Sequence, residues 1–145
     1  MAQADPRELQ ALQFYLNEYG QQAEIFTRQL ELIEQRRIEA LAAIESIKSL
    51  NGEKEPVVLV PLGGGATVRA RVEEPWKVLV NIGADTILQR TDGEAVTFLQ
   101  DRITEMEAME KKVAGTIDQL RGQINEIAQR IDAAYGQSQQ PPSGS

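Results

Sequence analysis

The chain has 145 residues, 41% hydrophobic, 26% charged and only 5% aromatic, so it holds at most one ordinary domain and no large enzyme core. Lys and Arg number 15 against 22 Asp and Glu, and the net charge of −7 disfavours phosphate backbones and anionic lipid as partners. Cys and His are absent, which excludes disulfides, Cys or His metal sites, Cys nucleophiles and His bases.

The first element is a long helix over about residues 6–50. Leu9, Leu12, Leu16, Tyr19, Ala23, Phe26, Leu30, Ile33, Arg37, Ala40, Ile44 and Ile47 alternate spacings of three and four, the a/d seam of a coiled coil. Asp5 is placed to cap it, Pro6 suits its first position, Glu8 its positive end, and Asn51 with Gly52 its stop.

Four short strands follow over about residues 56–91, at Val57–Leu62, Thr67–Val72, Lys77–Ile82 and Thr86–Arg90. Their β-branched content and glycine-containing links predict two β-hairpins. Gly63, Gly64 and Gly65 turn the first, and Gly83, Ala84 and Asp85 turn the second. Each hairpin has an apolar face. Isolated hairpins are marginal in water and leave open edges, so this segment is expected to pair with other subunits.

A second long helix is predicted over about 94–135, with seam residues Val96, Leu99, Ile103, Met106, Glu110, Val113, Ile117, Leu120, Ile124, Ile127, Ile131 and Ala134. Thr91 and Glu94 form a capping-box pattern, and Gly136 is expected to end the helix. Gly115 and Gly122 fall on its outward f positions. Laid antiparallel, the seams match Ile44 to Ile103, Leu30 to Ile117, Ala23 to Ile124 and Leu16 to Ile131. The two charged seam residues, Arg37 and Glu110, then share a layer. That coincidence predicts a register pair, against the alternative that each charge reaches water separately. Residues 1–136 thus form one expected domain, and the polar, Pro- and Gly-rich stretch 137–145 is expected to be disordered.

Catalysis finds no support. The triple glycine lacks the Lys and Ser or Thr of a phosphate loop and precedes a strand, so it reads as a hairpin turn. Glu73 with Glu74, and Glu105 with Glu107, read as solvated surface acids rather than an acid–base pair or cation site. No cofactor is expected. The start, MAQADPREL, lacks a basic stretch followed by an apolar one, and no apolar run approaches the roughly 18 residues of a bilayer span. A soluble, cytoplasmic protein is expected. Phe14, Tyr15 and Ile25 lie off the seam, at the end of the helical hairpin that also carries Tyr135. They suit either the holding of other proteins or ordinary surface exposure and packing on a neighbour. Leu50 and Phe98 adjoin the strands and are expected to pack beneath the sheet.

Helix, two hairpins and helix, with the stretch VLVPLGGGATVRARVEEPWKVLVNIGADTILQRT from Val58 to Thr91, resemble the prefoldin alpha subunits of the archaeal type. The VPLGGG turn, the alternating strand after it and KVLVNIGA carry the resemblance, and two hairpins rather than one distinguish alpha from beta subunits. The fold implied is α+β: a long antiparallel coiled-coil hairpin whose two β-hairpins join an oligomeric β-barrel. The resemblance further implies a hexamer of two alpha and four beta subunits. Its implied activity is ATP-independent holding of unfolded polypeptides at the coiled-coil tips and their delivery to a group II chaperonin. Assembly would use Val58, Val60, Leu62, Val68, Val72, Val78, Val80, Ile82, Ile87 and Leu88. Client contacts at the tip would use Leu9, Leu12, Phe14, Tyr15, Leu16, Ile127, Ile131 and Tyr135. The competing reading is a structural adaptor that bridges defined partners, with an enzyme a distant third.

Overall fold

The computed structural model describes residues 5–139, with side chains described for 5–136. The order is α1 (Pro6–Asn51), β1 (Val57–Gly63), β2 (Ala66–Arg71), β3 (Lys77–Gly83), β4 (Thr86–Thr91) and α2 (Asp92–Gln139). Contacts divide the chain into two compact units: residues up to Ile33 with those from Met109 onward, and residues Glu34–Ala108. Both helices contribute to each unit.

The helix ends follow from their capping chemistry. The Arg7 amide donates to Asp5 Oδ1 at 3.0 Å, which satisfies one of the free amides of the first turn of α1. At the other end the Gly52 amide donates to the Ser49 carbonyl at 3.2 Å, a tightened last turn. The Asn51 side chain donates to the Ile47 carbonyl at 3.0 Å and to the Pro75 carbonyl at 2.9 Å, tying the link between β2 and β3 to the end of α1. Thr91 caps α2 as expected, but only half of the capping box forms: the Glu94 amide donates to Thr91 Oγ1 at 3.2 Å, while Glu94 Oε1 accepts from the Thr91 hydroxyl, also at 3.2 Å, in place of the Thr91 amide.

Several boundaries differ from expectation, and β1, β3 and β4 each end one residue later, at Gly63, Gly83 and Thr91. β2 runs from Ala66 to Arg71 rather than from Thr67 to Val72, although the Val72 amide still donates to the Pro56 carbonyl at 2.9 Å. α2 begins at Asp92, because Thr91 ends β4 and caps the helix at once. α2 also continues through Gly136 to Gln139. A glycine inside a helix costs about 1 kcal/mol relative to Ala but does not stop it. Residues 137–139 are therefore helical, and 140–145 of the expected disordered stretch lie outside the described residues.

The seam is borne out along both helices, since each of its residues in α1 and α2 is half-buried or buried. In the unit of residues 34–108, Ala40, Ile44 and Ile103 are buried together against Val96, Leu99 and Met106. Ile44 and Ile103 are the layer that the antiparallel register predicts. In the other unit Ile33, Ile117 and Leu120 are buried. There Gln13 Nε2 donates to the Tyr135 hydroxyl at 3.3 Å, one residue from the Ala134 that the same register sets opposite Gln13. Gly115 and Gly122 are exposed with open space around them, as outward positions require.

β1 pairs with β2, and β3 with β4, as two separate antiparallel two-stranded sheets. Each turn consists of two residues at positive φ, Gly64 and Gly65 at 59° and 84°, Ala84 and Asp85 at 50° and 60°. Positive φ at both positions matches the right-handed twist of the flanking strands. The second hairpin packs by one face on the helices: Val80 is buried with Ile47 and Ala95, and Val78, Val96, Phe98 and Leu99 pack around them.

Candidate functional site

The residues expected to serve assembly fall into two groups. Val80, at only 8% exposure, lies in the chain's own core, and half-buried Val78 packs against it. Alternation decides this: Val78 and Val80 share the face of the second hairpin that covers Ile47 and Ala95. Phe98 packs in that core as expected, while half-buried Leu50 lines a groove with Pro56, Val57 and Val58. Val58, Val72 and Leu88 are half-buried. Val60, Leu62, Val68, Ile82 and Ile87 form exposed apolar surface.

Sequence reading missed part of that surface. Val57, Leu59, Leu79 and Trp76 are also exposed, Leu79 at 72%. Leu59 stands opposite Arg69 and Val57 opposite Arg71, while Leu79 stands opposite Gln89. These positions alternate with the recognised ones, so they lie on the faces taken to be polar. Large aliphatic side chains in an otherwise polar register were the available signal. Both hairpins thus expose apolar side chains. Among the described residues each sheet has two strands, so every strand has one edge with no ladder partner.

The helix-end set also divides. Leu9, Leu12, Leu16, Ile127 and Ile131 are half-buried at seam positions. Phe14, Tyr15 and Tyr135 are exposed, Phe14 at 63%. Phe14 meets Tyr15 edge to face at 5.8 Å, and Tyr15 stacks on Tyr19 at 6.2 Å, so three aromatic rings run in contact along α1. Ile25 is exposed in the same unit.

Glu73, Glu74, Glu105 and Glu107 are exposed, and Glu74 is paired with Lys77 at 2.9 Å. Among the described residues no group of three or more acidic side chains is placed to hold a metal ion. No helix among them is long and apolar enough to cross a membrane.

Two long helices that enclose two open-edged β-hairpins define a helix–hairpin–hairpin–helix subunit. Residues 19–137 match the prefoldin subunit family. The chain is 54% identical to the prefoldin subunit alpha of Methanoculleus marisnigri over 144 residues, covering 99% of this chain and 97% of that relative. It is 29% identical to that of Pyrococcus horikoshii over 126 residues, 86% of this chain and 85% of the relative. Its fold is similar to a chain in the cryo-EM structure of filamentous PFD from Methanocaldococcus jannaschii, with a TM-score of 0.70 and 23% identity over 81% of this chain and 98% of that one. It is also similar to the prefoldin beta subunit crystal structure from Thermococcus strain KS-1, with a TM-score of 0.63 and 21% identity over 97% of this chain and all of the other. The chain belongs to the prefoldin family as an alpha-type subunit, within a family of chaperones.

Proposed function

We propose that the chain acts as a holdase subunit: two copies join four beta subunits, the hairpins complete a central β-barrel, and the free helix ends hold unfolded polypeptides without ATP for delivery to a group II chaperonin. Cytoplasmic action without catalysis or cofactor belongs to the same reading. The supporting observation is the exposed aromatic set Phe14, Tyr15 and Tyr135, which lies off the seam on helices whose seam residues are half-buried or buried. Such side chains offer adjustable apolar contact with no pocket, and several weak sites on one assembly bind together far more tightly than one.

The test is suppression of aggregation of several unrelated denatured proteins by the reconstituted assembly without nucleotide. Phe14→Ser with Tyr15→Ser is expected to weaken holding several-fold while the assembly keeps its mass. Protection of a single partner only would indicate an adaptor. Full protection by the double variant would remove Phe14 and Tyr15 from the site.

A further inference from the structure

Trp76 is the only tryptophan of the chain, and it stands 52% exposed beside a groove at the roots of both hairpins. The end of α1 contributes Asn51 to this groove, the link after it Glu53, Lys54 and Glu55, and the link between β2 and β3 Glu73, Pro75 and Trp76. Its frame is fixed on three sides. The Asn51 side chain donates to the Pro75 carbonyl at 2.9 Å, the Asp92 amide donates to the Trp76 carbonyl at 3.0 Å, and the Lys77 amide donates to the Glu74 carbonyl at 3.0 Å. The indole is therefore held out to solvent by a braced backbone and not by a loose loop.

The charges around it are incompletely matched. Glu55 has Arg71 at 3.5 Å and Glu74 has Lys77 at 2.9 Å, whereas Glu53 and Glu73 have no ion-pair partner among the described residues. Lys54 lines the groove, yet among the described residues the cation that lies over an aromatic ring is Arg102 on Phe98, at 4.8 Å. Among the described residues no such cation lies over the Trp76 ring. An exposed indole in a groove that two unmatched carboxylates also line suits a lysine ammonium or arginine guanidinium, because the ring quadrupole and the carboxylates attract the same charge.

We infer that this groove receives a lysine or arginine side chain of the neighbouring subunit whose strand pairs with the hairpins. The inference rests on the proposed hetero-assembly. Position selects this occupant, since Glu55 lies two residues before β1, Glu73 two after β2 and Trp76 directly before β3. A strand added along these edges brings its own end to the groove. The site thereby sets which partner docks, and in what register, by charge as well as by apolar contact.

The experiment labels Trp76 with 5-fluorotryptophan in this chain alone and follows its fluorine resonance during assembly with the beta partner, together with the assembly Kd in low and high salt. The resonance is expected to shift on assembly. Trp76→Leu, and separately Glu53→Gln with Glu73→Gln, are expected to raise the Kd about tenfold and to flatten its salt dependence, with unchanged melting of the free chain. An unmoved resonance overturns the inference, and so does a shift accompanied by normal Kd in both variants, because the occupant would then carry no charge. Failure of the unaltered chain to join the beta partner at all would instead reject the hetero-assembly reading.

Discussion

Ala84 and Asp85 do with side chains what Gly64 and Gly65 do without them. All four hold positive φ, between 50° and 84°, yet a Cβ in the left-handed region costs on the order of 1–2 kcal/mol. The second hairpin offsets part of that cost locally, because the Gly83 amide donates to the Asn81 side chain at 2.9 Å and fixes the entry to the turn. Asparagine tolerates the left-handed region better than alanine. Ala84→Asn is therefore expected to raise stability by about 0.5–1 kcal/mol, read as an increase in Tm. In the first turn, Gly64→Val imposes a β-branched side chain at φ 59° and is expected to lower stability by about 2 kcal/mol. Equal melting of the two variants would mean that turn conformation does not limit hairpin stability.

At the scale of the elements, the coiled-coil register rests on the same offset in each unit, Ile44 with Ile103 in one and Gln13 beside Tyr135 in the other. The pairing of half-buried Arg37 with half-buried Glu110 is proposed from that offset. Its use would be to penalise slipped registers more than to add net stability. Arg37→Glu is expected to lower stability by about 1 kcal/mol, and Arg37→Glu with Glu110→Arg to recover most of it in thermal melts. A double variant no better than the single one would reject the pair. The seam was legible because a spacing of three and four admits only one helical stripe, and the Thr91 cap with its Glu94 partner because both side chains lie within four residues. The end of α2 was not. Gly136 permits a left-handed stop without imposing one, and the choice depends on packing that a local pattern does not contain.

Over the whole molecule, the strands were legible in number and pairing, but the use of each face was not, because alternation separates two faces without saying which one the helices cover. Val80 at 8% exposure and Leu79 at 72% are neighbours in one strand with opposite roles. Val80 closes the core over Ile47 and Ala95, so Val80→Ala is expected to cost about 1–3 kcal/mol of stability in the free chain. Leu79 and Leu59, at 66%, leave the chain's own core untouched. Leu59→Ser with Leu79→Ser is expected to change the melting of the free chain little. The same double variant removes apolar surface that a partner would bury, at about 1.5–3 kcal/mol for a full leucine, and is expected to weaken joining to the beta partner by tenfold or more. Sedimentation of the mixed subunits measures that loss and calorimetry of the free chain measures the fold. Assembly that survives Leu59→Ser with Leu79→Ser would mean that the outward faces of the hairpins stay wet, and that partners reach the sheets through their edges alone.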